Sequence, residues 1–176
     1  NCGGRLSREN PIFCPRCKTE LVNKKCELLC PECGAIIYKN SAPTASVLIV
    51  KNDKVLLAKR GVVPFKGEYD TVGGFLKHGE DPKKGALREV EEETGLKIKI
   101  IDFLGIYIDT YGAGGEKTLN INYVGKIIGG KMKPQDDVAA LEWFPITKLP
   151  KPAFKGEIKA FDNLLKWFNS GRGGQN

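Results

Sequence analysis

The sequence predicts an α/β domain preceded by a small metal-held ribbon, and three observations carry that prediction. All six cysteines of the 176-residue chain lie before residue 34. Two segments with helical spacing of apolar residues stand among runs rich in β-branched residues. Hydrophobic residues make up 41% and charged residues 28%, a balance that supports a sizeable core and excludes a largely disordered chain.

The cysteines come first in the chain. Cys14-Pro-Arg-Cys17 and Cys30-Pro-Glu-Cys33 are two Cys-x-x-Cys knuckles separated by twelve residues. A secreted disulfide scaffold spreads its cysteines over the fold it staples, so this clustering points to a local metal site in a reducing compartment. Four thiolates on two tight turns suit the tetrahedral preference of Zn²⁺, and a closed set leaves no open position for chemistry. Disulfides or a redox pair are the alternatives. Cys2 and Cys26 fall outside the pattern. Residues 1–40 are therefore expected to form a structural zinc ribbon, held by its metal because its core is too small. Lys39 to Pro43 reads as a short linker.

The larger domain is expected over 41–170. Thr44 to Lys51 and Lys54 to Arg60 flank an Asn52-Asp53 turn and read as a β-hairpin. Later strands are expected over Ile98 to Ile108, Leu119 to Ile128 and Leu141 to Phe144. A helix over Asp81 to Thr94 has an acid at its N-cap, Pro82 at its first position and Gly95 as its stop. A second helix, about Glu157 to Phe168, carries Ile158, Phe161, Leu164, Leu165 and Phe168 at spacings of three and four, a face that packs on a sheet. Residues 171–176 are Gly-rich and expected to be disordered.

The net charge of +7 favours anionic partners such as nucleotides or nucleic acid, although a solvated basic surface accounts for most of it. Apolar runs such as Val47 to Val50 are far shorter than the roughly 20 residues that cross a bilayer. No apolar stretch follows the first residues, so the expectation is a cytoplasmic protein with no membrane partner.

One helix face carries an acidic cluster. Arg88 is followed by Glu89, Glu91, Glu92 and Glu93. Glu89, Glu92 and Glu93 share a face at helical spacing, while Glu91 points elsewhere. Such carboxylates repel one another, and a hydrated Mg²⁺ or Mn²⁺ would offset that cost. An acidic surface turn with Lys partners is the alternative at this point.

The surrounding segment narrows the choice. Gly74-Phe75-Leu76-Lys77-His78-Gly79-Glu80, seven further residues, and then Arg88-Glu89-Val90-Glu91-Glu92-Glu93-Thr94-Gly95-Leu96 resemble the Nudix box, G-x5-E-x7-R-E-U-x-E-E-x-G-U, at every fixed position. The resemblance implies an α/β/α sandwich with a mixed sheet. It implies that Glu89, Glu92 and Glu93 bind the catalytic Mg²⁺ or Mn²⁺ with the Gly73 carbonyl. Glu80 would pair with Arg88, which orients the carboxylates. A further acid, general base or extra ligand, is expected from Asp136 and Asp137 or from Glu116, with Asp137 preferred. His78, the lone histidine, is expected to be exposed.

The implied activity is metal-dependent pyrophosphate hydrolysis of a nucleoside diphosphate linked to another group: ADP-ribose, a nucleotide sugar, a dinucleoside polyphosphate or a dinucleotide. The alternative is a nucleotide-sensing, nucleic-acid-binding regulatory module, which has no need of three converging carboxylates. The ribbon, Tyr38-x-x-x-Ala42-Pro43 and Val72-Gly73-Gly74-Phe75 look like the branch that includes NADH pyrophosphatases. Where those enzymes carry Ser-Gln-Pro-Trp-Pro-Phe-Pro, this chain reads Lys97 to Tyr111, so NADH is not expected to be the best substrate. Where ADP-ribose hydrolases tend to carry a proline beyond the box this chain has Tyr111, which resembles the marker of dinucleoside polyphosphate hydrolases, and Tyr107, Tyr111 and Phe65 are candidates to stack on a base. A nucleotide is the expected small-molecule partner, a homodimer is a further one, and nucleic acid is less favoured.

Overall fold

A computed structural model describes residues 12–24, 27–112 and 115–171. Cys2, Cys26 and residues 172–176 of the tail lie outside the described residues. The chain divides into two compact units between Asn40 and Ser41.

In the first unit, β1 (Val22–Lys24), β2 (Glu27–Leu29) and β3 (Ile36–Tyr38) form an antiparallel sheet in that order. Its core is Cys14, Leu21, Leu28 and Cys30, with Ala35 and Ile37 packed against them. Gly34, directly after the second knuckle, has φ 70° and closes that turn in a conformation that favours glycine.

The second unit is a seven-stranded mixed sheet with a helix packed on each face. Its strands are β4 (Ala42–Lys51), β5 (Lys54–Arg60), β6 (Tyr69–Asp70), β7 (Val72–Phe75), β8 (Leu96–Tyr111), β9 (Glu116–Gly130) and β10 (Val138–Pro145). The hydrogen-bonded order is β10-β5-β4-β9-β8, with β6 on β5 and β7 on β4. The β4–β9 pair is parallel and every other pair is antiparallel. The expected linker to Pro43 is thus shorter in fact. Ala42 and Pro43 already belong to β4, paired with Thr118 and Leu119.

Alternation along β4 assigns its side chains to the two faces. Ala45, Val47 and Ile49 pack with Ala86 and Val90 of α1 (Pro82–Thr94). Leu48 packs with Val124 of β9 and with Phe161, Leu164 and Trp167 of α2 (Gly156–Asn169). Thr44 and Ser46 continue the Leu48 row but are polar, and they meet polar partners. Ser46 Oγ donates to Asn122 Oδ1 at 2.9 Å, and Thr44 Oγ1 donates to Asn120 Oδ1. The α2 face of the sheet therefore changes from apolar to polar along its length. The apolar half lies under α2, and the polar half becomes the floor of a cavity.

Helix α1 has the expected caps. Asp81 Oδ1 accepts from the N–H groups of Lys83 and Lys84, and Gly95 closes the helix at φ 68°. Helix α2 differs from the expected face. Its buried residues are Glu157, Ala160, Phe161, Leu164 and Trp167, whereas Ile158 is 47% exposed. The buried face is shifted by one residue at its start, because the Glu157 carboxyl is drawn inward by Thr71.

Gly85 gives a prediction of inverted sign. Replacing glycine by alanine inside a helix ordinarily stabilises by about 1 kcal/mol. Here a Cβ would run into Leu76 Cδ2 and lie 3.0 Å from Glu80 Oε2. Overpacking of that kind costs about 1–3 kcal/mol. Less the propensity gain, the net cost is about 0–2 kcal/mol, so Gly85→Ala is expected to leave the melting temperature unchanged or lower it by a few degrees in calorimetry, and a rise would mean that the Leu76–Glu80 loop yields freely.

Candidate active site

A cavity of about 280 Å³ opens over the polar half of the sheet. Thr44, Ser46, Asn120 and Asn122 line it from the floor strands. Glu89 and Glu93 of α1 enter it, and Gly73 and Gly74 of β7 line it beside them. The glycines are required by this approach. A Cβ on Gly74 would lie 2.7 Å from the Glu89 carboxylate, and one on Gly73 would collide with the main chain of Ala45.

Glu93 is held by the facing strand, since the Gly73 N–H donates to its Oε2 at 3.0 Å. Burial pushes its pKa up to about 8. The Gly73 N–H pulls against that shift, while Glu89, Asp70 and Asp136 add repulsion. Glu92 is placed differently. It does not line the cavity. Its Oε2 takes Arg88 Nη1 at 2.8 Å, and its other oxygen lies 3.9 Å from Lys77 Nζ.

Arg88 organises the helix's outer edge. Its Nε and Nη2 donate to the two oxygens of Glu80 at 2.8 and 2.9 Å, a bidentate pair. Its Nη1 reaches Glu89 at 2.6 Å as well as Glu92. One guanidinium thus offsets much of the repulsion among these carboxylates. The same contact, helped by the Lys77 N–H, draws the Glu80 pKa down to about 2.

Asp136 and Asp137 both line the cavity, and the carbonyl of Asp137 is tied to the Gly61 N–H at 2.6 Å. Glu116 does not line it, and His78 is exposed. Three further acids on the walls, Asp70, Asp109 and Glu157, carry no signal in the sequence. Asp109 receives the Thr110 N–H on one oxygen and the Gly156 N–H on the other, at 2.9 and 2.6 Å, and so caps α2 from a distance. Glu157 is the buried acid of α2's first turn. Among the lining residues Arg60 alone is cationic, and it is bound to Asp70 at 2.8 Å.

Aromatic rings form the far wall. Phe154 stacks on Tyr111 with centroids 5.7 Å apart and meets Phe65 edge-on, and Phe75 meets Tyr111 edge-on. Tyr107 also lines the cavity, but its hydroxyl is engaged by Asn163 of α2 at 3.0 Å, which ties the ring to the helix. A second cavity, of about 910 Å³, shares Tyr107, Asp109 and Phe154 with the first. Lys151, Lys155 and Lys159 line it.

In the first unit, the sulfurs of Cys14, Cys17, Cys30 and Cys33 all lie within 4.8 Å of one another. Cys14–Cys33 and Cys17–Cys30 are 3.6 and 3.3 Å apart, far beyond a disulfide bond, and all four are free thiols. Sulfurs around one tetrahedral zinc are separated by roughly 3.8 Å, so the quartet fits a single ion. Hydrogen bonds from the Thr19 hydroxyl and N–H, then from Cys30, draw the Cys17 thiol down to about 6.

No helix of the described residues is long and apolar enough to cross a membrane. Comparison with known proteins agrees with the geometry. The NUDIX domain model matches residues 40–166. An ADP-ribose pyrophosphatase of Methanocaldococcus jannaschii is 35% identical over 133 residues, which are 76% of this chain and 78% of that protein. The NAD-capped RNA hydrolase NudC of Pseudomonas aeruginosa is 30% identical over 142 residues, 78% of this chain, and the match spans about half (49%) of that protein. In fold, a NUDIX hydrolase from Nitrosomonas europaea superposes with a TM-score of 0.73 at 22% identity, covering 93% of both chains. With the box carboxylates on α1, the glycine strand beside them and the family match over 40–166, the chain belongs to the Nudix family of hydrolases.

Proposed function

We propose that residues 41–170 form a divalent-metal-dependent pyrophosphohydrolase acting on nucleoside diphosphates joined to another group, with ADP-ribose preferred, and that residues 1–40 form a structural zinc ribbon. The observation that carries the reading is the meeting of Glu89 and Glu93 with Gly73 in one cavity that also holds Asp136 and Asp137. A set of hard oxygen donors with one cation already committed to Asp70 fits Mg²⁺ or Mn²⁺. We assign that cation to Glu89 and Glu93 with the Gly73 carbonyl, and Glu92, which lies outside the cavity on Arg88 and Lys77, joins the set only by leaving those partners. Bound there, it would supply neutralisation of the diphosphate oxygens and acidification of the attacking water.

The chain's own residues do the rest. Arg88 fixes Glu89 and Glu92 while Glu80 holds Arg88 in place. Asp137 is the residue assigned to take the proton or to add a further ligand. The wall of Phe75, Tyr111 and Phe154 offers ring faces for a nucleobase, and Phe75 is 45% exposed. The second cavity, beside the first, gives room for the group on the other side of the diphosphate.

ADP-ribose is placed first because the relative of higher identity, matched over most of its own length, bears that activity in its name. The test is release of mononucleotide from ADP-ribose, NADH, a UDP-sugar and diadenosine tetraphosphate, with and without Mg²⁺. Comparing kcat/KM ranks differential transition-state binding. ADP-ribose is expected to rank above NADH, and all release is expected to stop on removal of Mg²⁺. Metal-independent release, or none, would overturn the hydrolase reading, and NADH ranking first would overturn the choice of substrate.

A further inference from the structure

Glu157 is 6% exposed, a costly place for a carboxyl group unless its oxygens are satisfied. Its Oε1 accepts twice from one residue: the Thr71 N–H at 3.1 Å and the Thr71 hydroxyl at 2.7 Å. Its Oε2 is buried with no donor among the described residues. The group interacting with it is another carboxylate, Asp70, which takes Arg60 Nη1 at 2.8 Å. Burial, followed by the charge of Asp70, raises the proton affinity of Glu157. As a neutral acid, Glu157 carries no charge on its unpartnered Oε2 while Oε1 still accepts from Thr71.

Thr71 occupies the one-residue gap between β6 and β7. Two residues further on, the Gly73 N–H donates to Glu93 Oε2. The ladder with β4 holds Val72 and Gly73 opposite Val47 and Ser46. Just before that ladder, Thr71 is held by Glu157, from the first turn of α2, 86 residues away in sequence.

We propose that Glu157 is a positioning residue for Glu93: by holding both donors of Thr71, it fixes the β6–β7 segment and so the Gly73 N–H that orients Glu93. The proposal rests on the hydrolase reading for the role of Glu93. A misplacement of about 1 Å at a reacting group costs on the order of 10²-fold in rate. An active role for Glu157 as proton acceptor or metal ligand makes the opposite prediction for one substitution. Glu157→Gln keeps the Oε1 acceptor for Thr71 in a side chain of nearly the same shape. It removes only the carboxyl chemistry.

The experiment compares Glu157→Gln, Glu157→Ala and Thr71→Val with the wild-type chain. Hydrogen exchange of the Gly73 amide is followed by NMR in the zinc-loaded protein without Mg²⁺, and kcat and KM are measured on ADP-ribose with Mg²⁺. Glu157→Gln is expected to retain Gly73 protection and to keep kcat within about threefold. Glu157→Ala is expected to speed Gly73 exchange by about tenfold or more and to lower kcat by about 10–100-fold with little change in KM. Thr71→Val, which keeps the N–H and loses the hydroxyl, falls between them. If the alanine variant does not fold, the other two decide. A glutamine variant as impaired as alanine would overturn the proposal, because the carboxyl itself would then act. Unchanged Gly73 exchange in folded Glu157→Ala or Thr71→Val would overturn it as well. The exchange measurement needs no turnover, so failure of the hydrolase reading is told apart from failure of the anchor.

Discussion

Glu93→Gln is expected to lower kcat/KM by at least ~10²-fold while the protein folds and melts much as before, the scale of losing one electrostatic stabiliser of a transition state. The substitution is nearly isosteric, and the amide oxygen still accepts the Gly73 N–H that the carboxylate accepts at 3.0 Å. Position is therefore kept and charge is lost. Folding is not expected to suffer, because burial and the neighbouring Glu89, Asp70 and Asp136 already oppose ionisation at this site. Steady-state kinetics together with a thermal melt check the two halves of the expectation. Near-normal turnover in a normally folded variant would remove Glu93 from the chemistry.

The second large effect is on the N-terminal unit. With Cys14, Leu21, Leu28 and Cys30 as its buried core among the described residues, the ribbon has little buried surface to fold alone. Structural zinc contributes about 10 kcal/mol or more in comparable peptides. A zinc-selective chelator in excess Mg²⁺, or Cys14→Ser, is therefore expected to collapse the NMR dispersion of residues 12–40. The cooperative melt of the second unit is expected to remain. Metal analysis should find one zinc per chain. Retention of ribbon signals in zinc-free protein would refute the assignment.

What could be read from the chain in advance was local. The caps of α1 were legible because Asp81, Pro82 and Gly95 act on their own helix within a turn. The cysteine quartet was legible because two tight knuckles dictate it. Glu157 was not. Nothing within its own turn shows that an acid will be buried, and its partner Thr71 lies in a one-residue gap beside the two-residue strand β6, too short to leave a pattern. Periodicity therefore placed Ile158 on the packed face, where the structure places Glu157. The joining of Ala42 and Pro43 to β4 was hidden for a related reason. Their strand character comes from Thr118 and Leu119, far along the chain, and not from their own propensities.

The parallel pairing of β4 with β9 has a consequence for the order in which the molecule assembles. A hairpin closes within its own neighbourhood, but this central pair joins residues 42–49 to residues 118–125. Loop closure over that distance is paid in chain entropy before any contact rewards it, so it is a slow step and a late one. On the ribosome, the box helix emerges well before the strand that carries Asn120 and Asn122. A nascent chain ending near residue 110 already holds every carboxylate of the box, yet it has no cavity floor for them to face. The cavity is therefore complete only once β9 has been made and has paired with β4.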